Sequence, residues 1–350
     1  MKIQPENWMV SGFKDKTILV TGATGLIGSR IIASLMELDG VCVIALSRNA
    51  TKLSNCFSRY LASGRFTCVE HDISVPLSII DSSIDYIFHA ASPLESKIIK
   101  NYPLDVIMPN MLGTVNCLDY LVRQGRDKNI GGRLILFSSV TVYGNNTNKD
   151  LTVTEMDTSV TEFIESNSAP YSQSKRMSEV IVQAYIKQFS IDAVICRLST
   201  VYGDTTYKTD TAFFEFINNA ISRKDIHLRN AMLPRRDNIY IDDATSGLLT
   251  IAVKGKTGQS YNVSSNGELG GYLAVDEIAE IIANEANKKL EPNQKKISVK
   301  YDDIATDKKR PPGIILDNSK LKELGWDLST DIIDGIAKTL YSCNLMKSND

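Results

Sequence analysis

The chain has 350 residues, 43% of them hydrophobic and 23% charged, with a formal net charge of -2. That length can bury one large core or two ordinary ones, and a near-neutral balance with scattered basic residues excludes an electrostatic footprint for nucleic acid. No apolar run approaches the roughly 20 residues of a membrane span, and the opening MKIQPENWMV lacks a basic-then-apolar signal pattern. A cytoplasmic protein with neither membrane nor nucleic-acid partners is therefore expected.

The cysteines, Cys42, Cys56, Cys68, Cys117, Cys196 and Cys343, show no CxxC spacing and mostly lie in apolar segments, so they read as reduced packing residues. With only three histidines in the chain and no CxxC pair, no metal site is expected. The Asn-x-Ser/Thr match at Asn145 carries no weight in a cytosolic protein.

Residues 1–16 form an N-terminal extension containing Trp8, to which the sequence assigns no role. The run TILVT (17–21) is short, β-rich and ends at glycines, and 26–38 then turns amphipathic with helical spacing. Strand-like runs follow at 41–47, 66–73, 84–91, 133–139, 192–199 and 260–265, with helical patterns between them, as at 104–124 and 171–189. Beyond about residue 200 the pattern weakens to helix-like stretches at 211–223 and 274–289, separated by a polar segment, and a final amphipathic stretch after Gly325. Strands alternating with helices predict an α/β fold: a Rossmann-type doubly wound parallel sheet with a smaller C-terminal α/β substrate domain. The expected division is a dinucleotide-binding domain over 17–199, with a return of the chain near 236–265, and a substrate domain from 200–235 and 266–345.

Between the first strand and helix, TGATGLIG spaces Gly22, Gly25 and Gly28 as GxxGxxG. Glycines there let the backbone turn tightly against a pyrophosphate whose charge the helix N-terminus stabilises, with Thr24, Leu26 and Ile27 lining the turn. A glycine-rich turn without ligand has the same three-glycine spacing, and the flanking strand and helix are what favour the dinucleotide. The second strand ends in Ser47, Arg48 and Asn49 rather than in an acid that would bind the ribose diol of NAD. Arg48 could pair a 2'-phosphate, which points to NADP, or stack on the adenine, or face solvent.

At 169–175, APYSQSK sets Tyr171 and Lys175 one helical turn apart, with Pro170 suited to a first turn. An ammonium near a phenol favours the phenolate and makes it usable as a base, although the same spacing is ordinary on a surface helix. The run LFSSVTVYGN (136–145) equally suits any buried strand or one that ends in a catalytic hydroxyl.

TGATGLIG, HDI (71–73), HAAS (89–92), PNMLGTVN around Asn110, SSVTVYG and YSQSK, followed by RLSTVYG (197–203), RRDNIYIDD (235–243) and RPPGIILDNSKLKELGW (310–326), stand in one order along nearly the whole chain. The chain is thereby similar to the extended short-chain dehydrogenase/reductases, in their nucleotide-sugar epimerase/dehydratase branch. The resemblance implies an enzyme with NAD as cofactor and a nucleoside-diphosphate sugar as substrate, acting as a homodimer through helices near 104–124 and 171–189. It implies Ser139, Tyr171 and Lys175 as catalytic residues, Ser139 on the reacting sugar hydroxyl and Lys175 also on the nicotinamide ribose, with Ser138 a packing neighbour. It places Asp72 and Ile73 against the adenine and Ala90 and Ala91 along the cofactor. Asn110 would brace the active-site helix, and Arg236 and Arg310 would grip the diphosphate. His89 reads as structural.

Within this branch, the resemblance implies an Asp-Glu pair after the catalytic serine in 4,6-dehydratases and a glutamate two residues after it in UDP-glucuronate decarboxylases. Here Val140 and Thr141 occupy those places. The expected reaction is therefore C4 epimerisation through a 4-keto intermediate, with an NADPH-dependent 4-keto-sugar reductase as the alternative. A decarboxylase-like enzyme and a non-catalytic dinucleotide sensor stand behind these. Thr200 replaces the asparagine of the family's RxxNxYG pattern, and RNAMLP (229–234) replaces a glycine-rich segment, both near the expected substrate cleft.

Overall fold

The structure is a computed structural model that describes residues 7–93, 96–129, 131–144, 150–157, 164–204, 211–228, 233–288, 295–302 and 310–347. A short helix α1 (Asn7–Phe13) leads into β1 (Thr17–Thr21), α2 (Leu26–Met36), β2 (Cys42–Ser47), α3 (Ala50–Cys56), β3 (Phe66–Glu70), β4 (Tyr86–His89), α4 (Ser96–Asn101), α5 (Leu104–Lys128) and β5 (Arg133–Ser139). After β6 (Leu151–Val153) come α6 (Ala169–Phe189), β7 (Asp192–Leu198), β8 (Thr200–Tyr202), α7 (Ala212–Ile221), β9 (Ile226–Leu228), β10 (Arg236–Tyr240), α8 (Ile241–Lys254) and β11 (Ser260–Val263). The chain ends in β12 (Tyr272–Leu273), α9 (Val275–Asn287), β13 (Val299–Tyr301), β14 (Ile314–Leu316), α10 (Ser319–Lys322) and α11 (Ile332–Lys347).

Seven of the strands pair in parallel in the order β11-β7-β5-β4-β1-β2-β3. Side chains alternate across these strands, so each strand feeds two cores and reads as a continuous apolar run. Ile18, Val20, Ile135 and Val194 pack with Ile31 and Leu35 of α2 and Leu248 and Ile251 of α8 on one face. Leu19, Leu134, Leu136 and Ile195 pack with Leu118 and Leu121 of α5 and Val182 of α6 on the other. The N-terminal extension joins the first of these cores, with Phe13 fully buried edge-on to Tyr86 at 5.1 Å between ring centroids.

A second sheet, β12-β10-β14-β6 with β8 on β10, and the pair β13-β9 lie beside α7, α9 and α11. Phe216, Ile217, Ile278, Ile282 and Ile336 form its core with Tyr202 and Tyr240. β6 and β10 belong to the small sheet, whereas α8 covers a face of the large one and β11 extends it.

Candidate active site

In an open parallel sheet the crevice opens beyond the carboxyl ends of the strands, where neighbouring connections leave in opposite directions. Here the strand order runs outward from β1 to β2 and β3 on one side and to β4 and β5 on the other, so the switch lies between β1 and β4. The Gly22 turn follows β1 and Ala90 and Ala91 follow β4. Gly22 has φ +62°, and a Cβ on it would stand 2.8 Å from the Ala90 carbonyl and from the Ala91 Cα. Gly28 sits so close beneath the turn that a Cβ would fall 2.5 Å from the Gly22 oxygen. The Gly25 N–H closes the turn on the Gly22 carbonyl at 2.9 Å. From Gly25 onward α2 has no side-chain cap and no acid in its first turn. The amides of Leu26 and Ile27 therefore meet no competing side chain, and the helix end keeps its partial positive charge for an anion. Cradle, uncapped helix and switch point together fit the pyrophosphate of a dinucleotide.

Around this turn the other expected cofactor residues separate into exposed and buried groups. Thr24 Oγ1 lies 3.4 Å from Ser47 Oγ, joining the turn to the end of β2. Asn49 is spent as the cap of α3, accepting from the Lys52 N–H at 2.7 Å, whereas Arg48 is exposed and forms no hydrogen bond or ion pair among the described residues. Glu70 stands in register beside Ser47 and accepts from the Ala50 N–H at 3.2 Å, so a carboxylate does lie at this edge, contributed by β3. Asp72 is exposed and caps its own turn through the Ser74 N–H at 2.8 Å; Ile73 is buried, its carbonyl held by Asn116 at 2.8 Å. His89 bridges the elements below: its Nδ1 is 2.8 Å from Thr21 Oγ1, which also accepts the Ala91 N–H at 3.2 Å. Burial, aided by the charge of Lys175, lowers the His89 pKa to about 3, which keeps the ring neutral.

Three residues on one stripe of α6 face the end of β5. The Tyr171 hydroxyl is hydrogen-bonded with Ser139. Ser139 is the last residue of its strand and caps the following turn by accepting the Thr141 N–H at 3.2 Å. Lys175 donates to the Phe137 carbonyl at 2.7 Å, its Nζ 5.9 Å from the centre of the Tyr171 ring. Burial raises the phenol above its ordinary pKa, with the Ser139 bond acting against it. Burial lowers Lys175 to about 7 against the opposing charge of Glu179. The ammonium is thus engaged by the strand carbonyl and stands over the Tyr171 ring. Asn110 is buried in α5 and donates to Ser174 Oγ at 2.9 Å, while its carbonyl accepts from Ser178 at 2.8 Å. Its Oδ1 is buried without a partner among the described residues, as are the hydroxyls of Ser92, Thr141 and Ser199 just beyond β4, β5 and β7.

The expected substrate residues lie on the small sheet and differ in state. Thr200 opens β8, in register with Asn238. Arg236 starts β10 with solvent access and no ionic partner among the described residues, yet its surroundings lower its pKa by desolvation. A guanidinium that is partly desolvated and has no counter-ion among the described residues suits an anion. Arg310 instead forms a two-pronged ion pair with Asp276 at 2.8 and 2.6 Å and donates to the Leu233 carbonyl at 2.6 Å. As found, its guanidinium is occupied.

Sequence reasoning missed a buried polar network beside the catalytic stripe. Ser138 Oγ donates to Glu179 at 2.5 Å, and Arg197 grips the same carboxylate at 3.0 and 2.8 Å. Arg197 also donates to the Tyr143 hydroxyl at 3.0 Å, and Tyr143 donates to Asn262 at 2.7 Å. The available signal was Glu179 one turn beyond Lys175 in YSQSKRMSE.

A reversed strand order beside an uncapped glycine turn defines a dinucleotide-binding enzyme fold of the Rossmann type. The family model of the NAD dependent epimerase/dehydratase family matches residues 18–264, and the chain belongs to that family. It is 27% identical over 327 residues to UDP-glucuronic acid decarboxylase 6 of Arabidopsis thaliana, covering 91% of this chain and 86% of that protein. It is 28% identical over 349 residues to dTDP-D-glucose 4,6-dehydratase of Homo sapiens, covering 96% and 92%. The fold matches UDP-glucuronic acid 4-epimerase from Bacillus cereus, solved with UDP-glucuronic acid and NAD, with a TM-score of 0.76 at 22% identity over 94% of this chain and 99% of that one.

Proposed function

We propose that the protein inverts C4 of the sugar in a nucleoside-diphosphate sugar. Family membership supports the substrate class, and one observation carries the choice of reaction. Among the described residues, Glu179 is the only carboxylate whose charge acts on Lys175 or Tyr171, and it is committed to Arg197 and Ser138. Eliminating water needs an acid and a base besides the group that deprotonates the hydroxyl, and the two residues that follow Ser139, Val140 and Thr141, supply no such pair.

Bound at the glycine turn, a nicotinamide dinucleotide supplies a reversible hydride acceptor. Tyr171 takes the proton of the C4 hydroxyl and returns it once the keto sugar has turned its other face, while Ser139 holds the reacting oxygen. Lys175 supplies positive charge to the phenolate and a donor to the ribose. Arg236 receives the diphosphate, and Arg310 joins it on exchanging Asp276 for phosphate. In this reading the large sheet carries the cofactor and the small sheet carries the sugar nucleotide. The exposed apolar residues Met108 and Leu112 of α5 and Met177 and Val180 of α6 support a homodimer seam along the two helices.

A panel of UDP- and dTDP-sugars deuterated at C4 tests the reaction. Inversion with the label retained and no net change in cofactor is expected; release of water or carbon dioxide from the sugar would sink the proposal. In Tyr171→Phe, turnover is expected to fall by roughly 10²- to 10⁴-fold with the dinucleotide still bound.

The unpaired Arg48 favours a second reading, an NADPH-dependent 4-keto-sugar reductase. Losing a charge-assisted contact of about 1.5–3 kcal/mol, Arg48→Ala should cut the NADP-to-NAD affinity ratio at least about tenfold in calorimetry. An unchanged ratio removes this support for NADP.

A further inference from the structure

The last three residues of β5 each have a partner on α6, and the partners are spaced one helical turn apart. The Phe137 carbonyl accepts from Lys175 at 2.7 Å, Ser138 donates to Glu179 at 2.5 Å, and Ser139 bonds with the Tyr171 hydroxyl. Two of these partners belong to the proposed chemistry. The third, Glu179, is buried and out of reach of the reacting oxygen, because both its oxygens are taken by Ser138 and Arg197.

Burying a carboxylate and a guanidinium costs free energy that hydrophobic residues of the same volume would not, so a stability role alone is a weak account of the pair. The charges that face Lys175 offer a better one. Along α6 these are Tyr171 and Glu179, and from β4 comes His89, held neutral; Arg197 of β7 and Tyr143 of the turn after β5 join them through Glu179. Glu179 is the single negative charge in this set, and Arg197 fixes where that charge sits. Through Tyr143 and Asn262 the same network reaches β11, and through Asn262 it reaches the carbonyls of Val153 and Asp317 at the small sheet.

We propose that Glu179 is a positioning residue of the reaction: held by Arg197 and Ser138, it sets the register of the Tyr171–Lys175 stripe against β5 and faces the Lys175 ammonium with compensating charge. The inference rests on the reading of Tyr171 and Lys175 given above, and it makes an ordering of variants. In Glu179→Gln the Arg197 charge is left without its carboxylate in the buried network that adjoins Lys175. In the double variant Glu179→Gln with Arg197→Met neither charge remains. The lysine should lose its proton most easily in the single variant, less easily in the double, and least easily in the wild type.

Lysine labelled with ¹³C at Cε, with the Lys175 signal identified by its loss in Lys175→Arg, reports that titration in the protein without substrate. The expected midpoint for Glu179→Gln lies about one pH unit below the wild type, with the double variant between them. With a turned-over substrate in hand, kcat of Glu179→Gln should fall about tenfold or more with KM changed less than about threefold, and the alkaline limb of its pH profile should move down with the NMR midpoint. Coincident midpoints in three folded proteins would overturn the proposal, as would a double variant below the single one. If the midpoints order as stated but no sugar nucleotide turns over, the positioning role stands and the proposed reaction fails.

Discussion

His89 illustrates how much one buried residue can set. It links β1 to β4 through Thr21, lies under the cofactor turn, and is kept neutral by burial. Its folded pKa of about 3 lies below the ordinary 6.5, so its contribution to stability is complete above pH 6.5 and is lost as pH falls toward 3. The paired carboxylates Asp276, Glu277 and Glu268 are held below their ordinary values and lose their contribution only at lower pH. Buried Asp237, raised to about 6, acts in the opposite sense to the histidine as pH falls from 7 to 5, and Lys175, lowered to about 7, acts in the same sense at the upper edge of that interval, so the histidine is isolated by comparison with a variant that lacks it. Urea unfolding at pH 7 and pH 5 should show the wild type losing about 2 kcal/mol more than His89→Gln over that interval; equal losses would mean that the ring charges without cost. At this scale Ser139, Tyr171 and Lys175 were singled out through the family resemblance, because helical spacing and a strand end alone fit a surface helix and any buried strand equally well. The occupied state of Arg310 was not legible, since its partner Asp276 lies 34 residues away in the first turn of α9. Ser138 was read as packing, because sequence does not show that its hydroxyl meets a carboxylate on α6.

Among elements, the strands of the large sheet and helices α2, α5 and α6 were legible for one physical reason: strands buried on both faces are continuous apolar runs, and helices covering one face are amphipathic. The helix α8 was passed over as part of a polar segment. It begins directly at the end of β10, and much of IDDATSGLLTIAVK is buried, including Thr245 and Thr250, so no polar stripe betrays its period. The helix α1 is too short to carry a period, and its worth comes from tertiary contact. Phe13 is fully buried against Tyr86 and Phe88, and Met9 lies beside the same core. Phe13→Ala should therefore cost about 3–5 kcal/mol in denaturant unfolding, the range for a buried aromatic, whereas a loosely attached extension would give less than about 1 kcal/mol.

At the scale of the whole molecule, the two helices that cover the active-site face of the sheet have a second, outward face. Met108, Leu112, Met177 and Val180 are 40–56% exposed there, and α5 and α6 are tied to each other by the bond from Tyr185 to Asp119 at 2.6 Å. Sequence could not separate a dimer seam from a covered helix face, because both give the same apolar spacing. The structure removes one option, since the described residues of this chain leave these side chains uncovered. Apolar side chains on adjoining helices gain roughly 25 cal/mol per Å² when a second copy covers them, and an acid placed among them must be desolvated. Light scattering at micromolar concentration should find a dimer for the wild type and a monomer for Leu112→Glu combined with Val180→Glu. A monomeric wild type would end the argument for a seam. Because α6 carries Tyr171 and Lys175 on its inward face, the same variant should also lose several-fold in kcat while the cofactor still binds. Full activity in a proven monomer would mean that the catalytic stripe is held by β5 and the Glu179 network without help from a second chain.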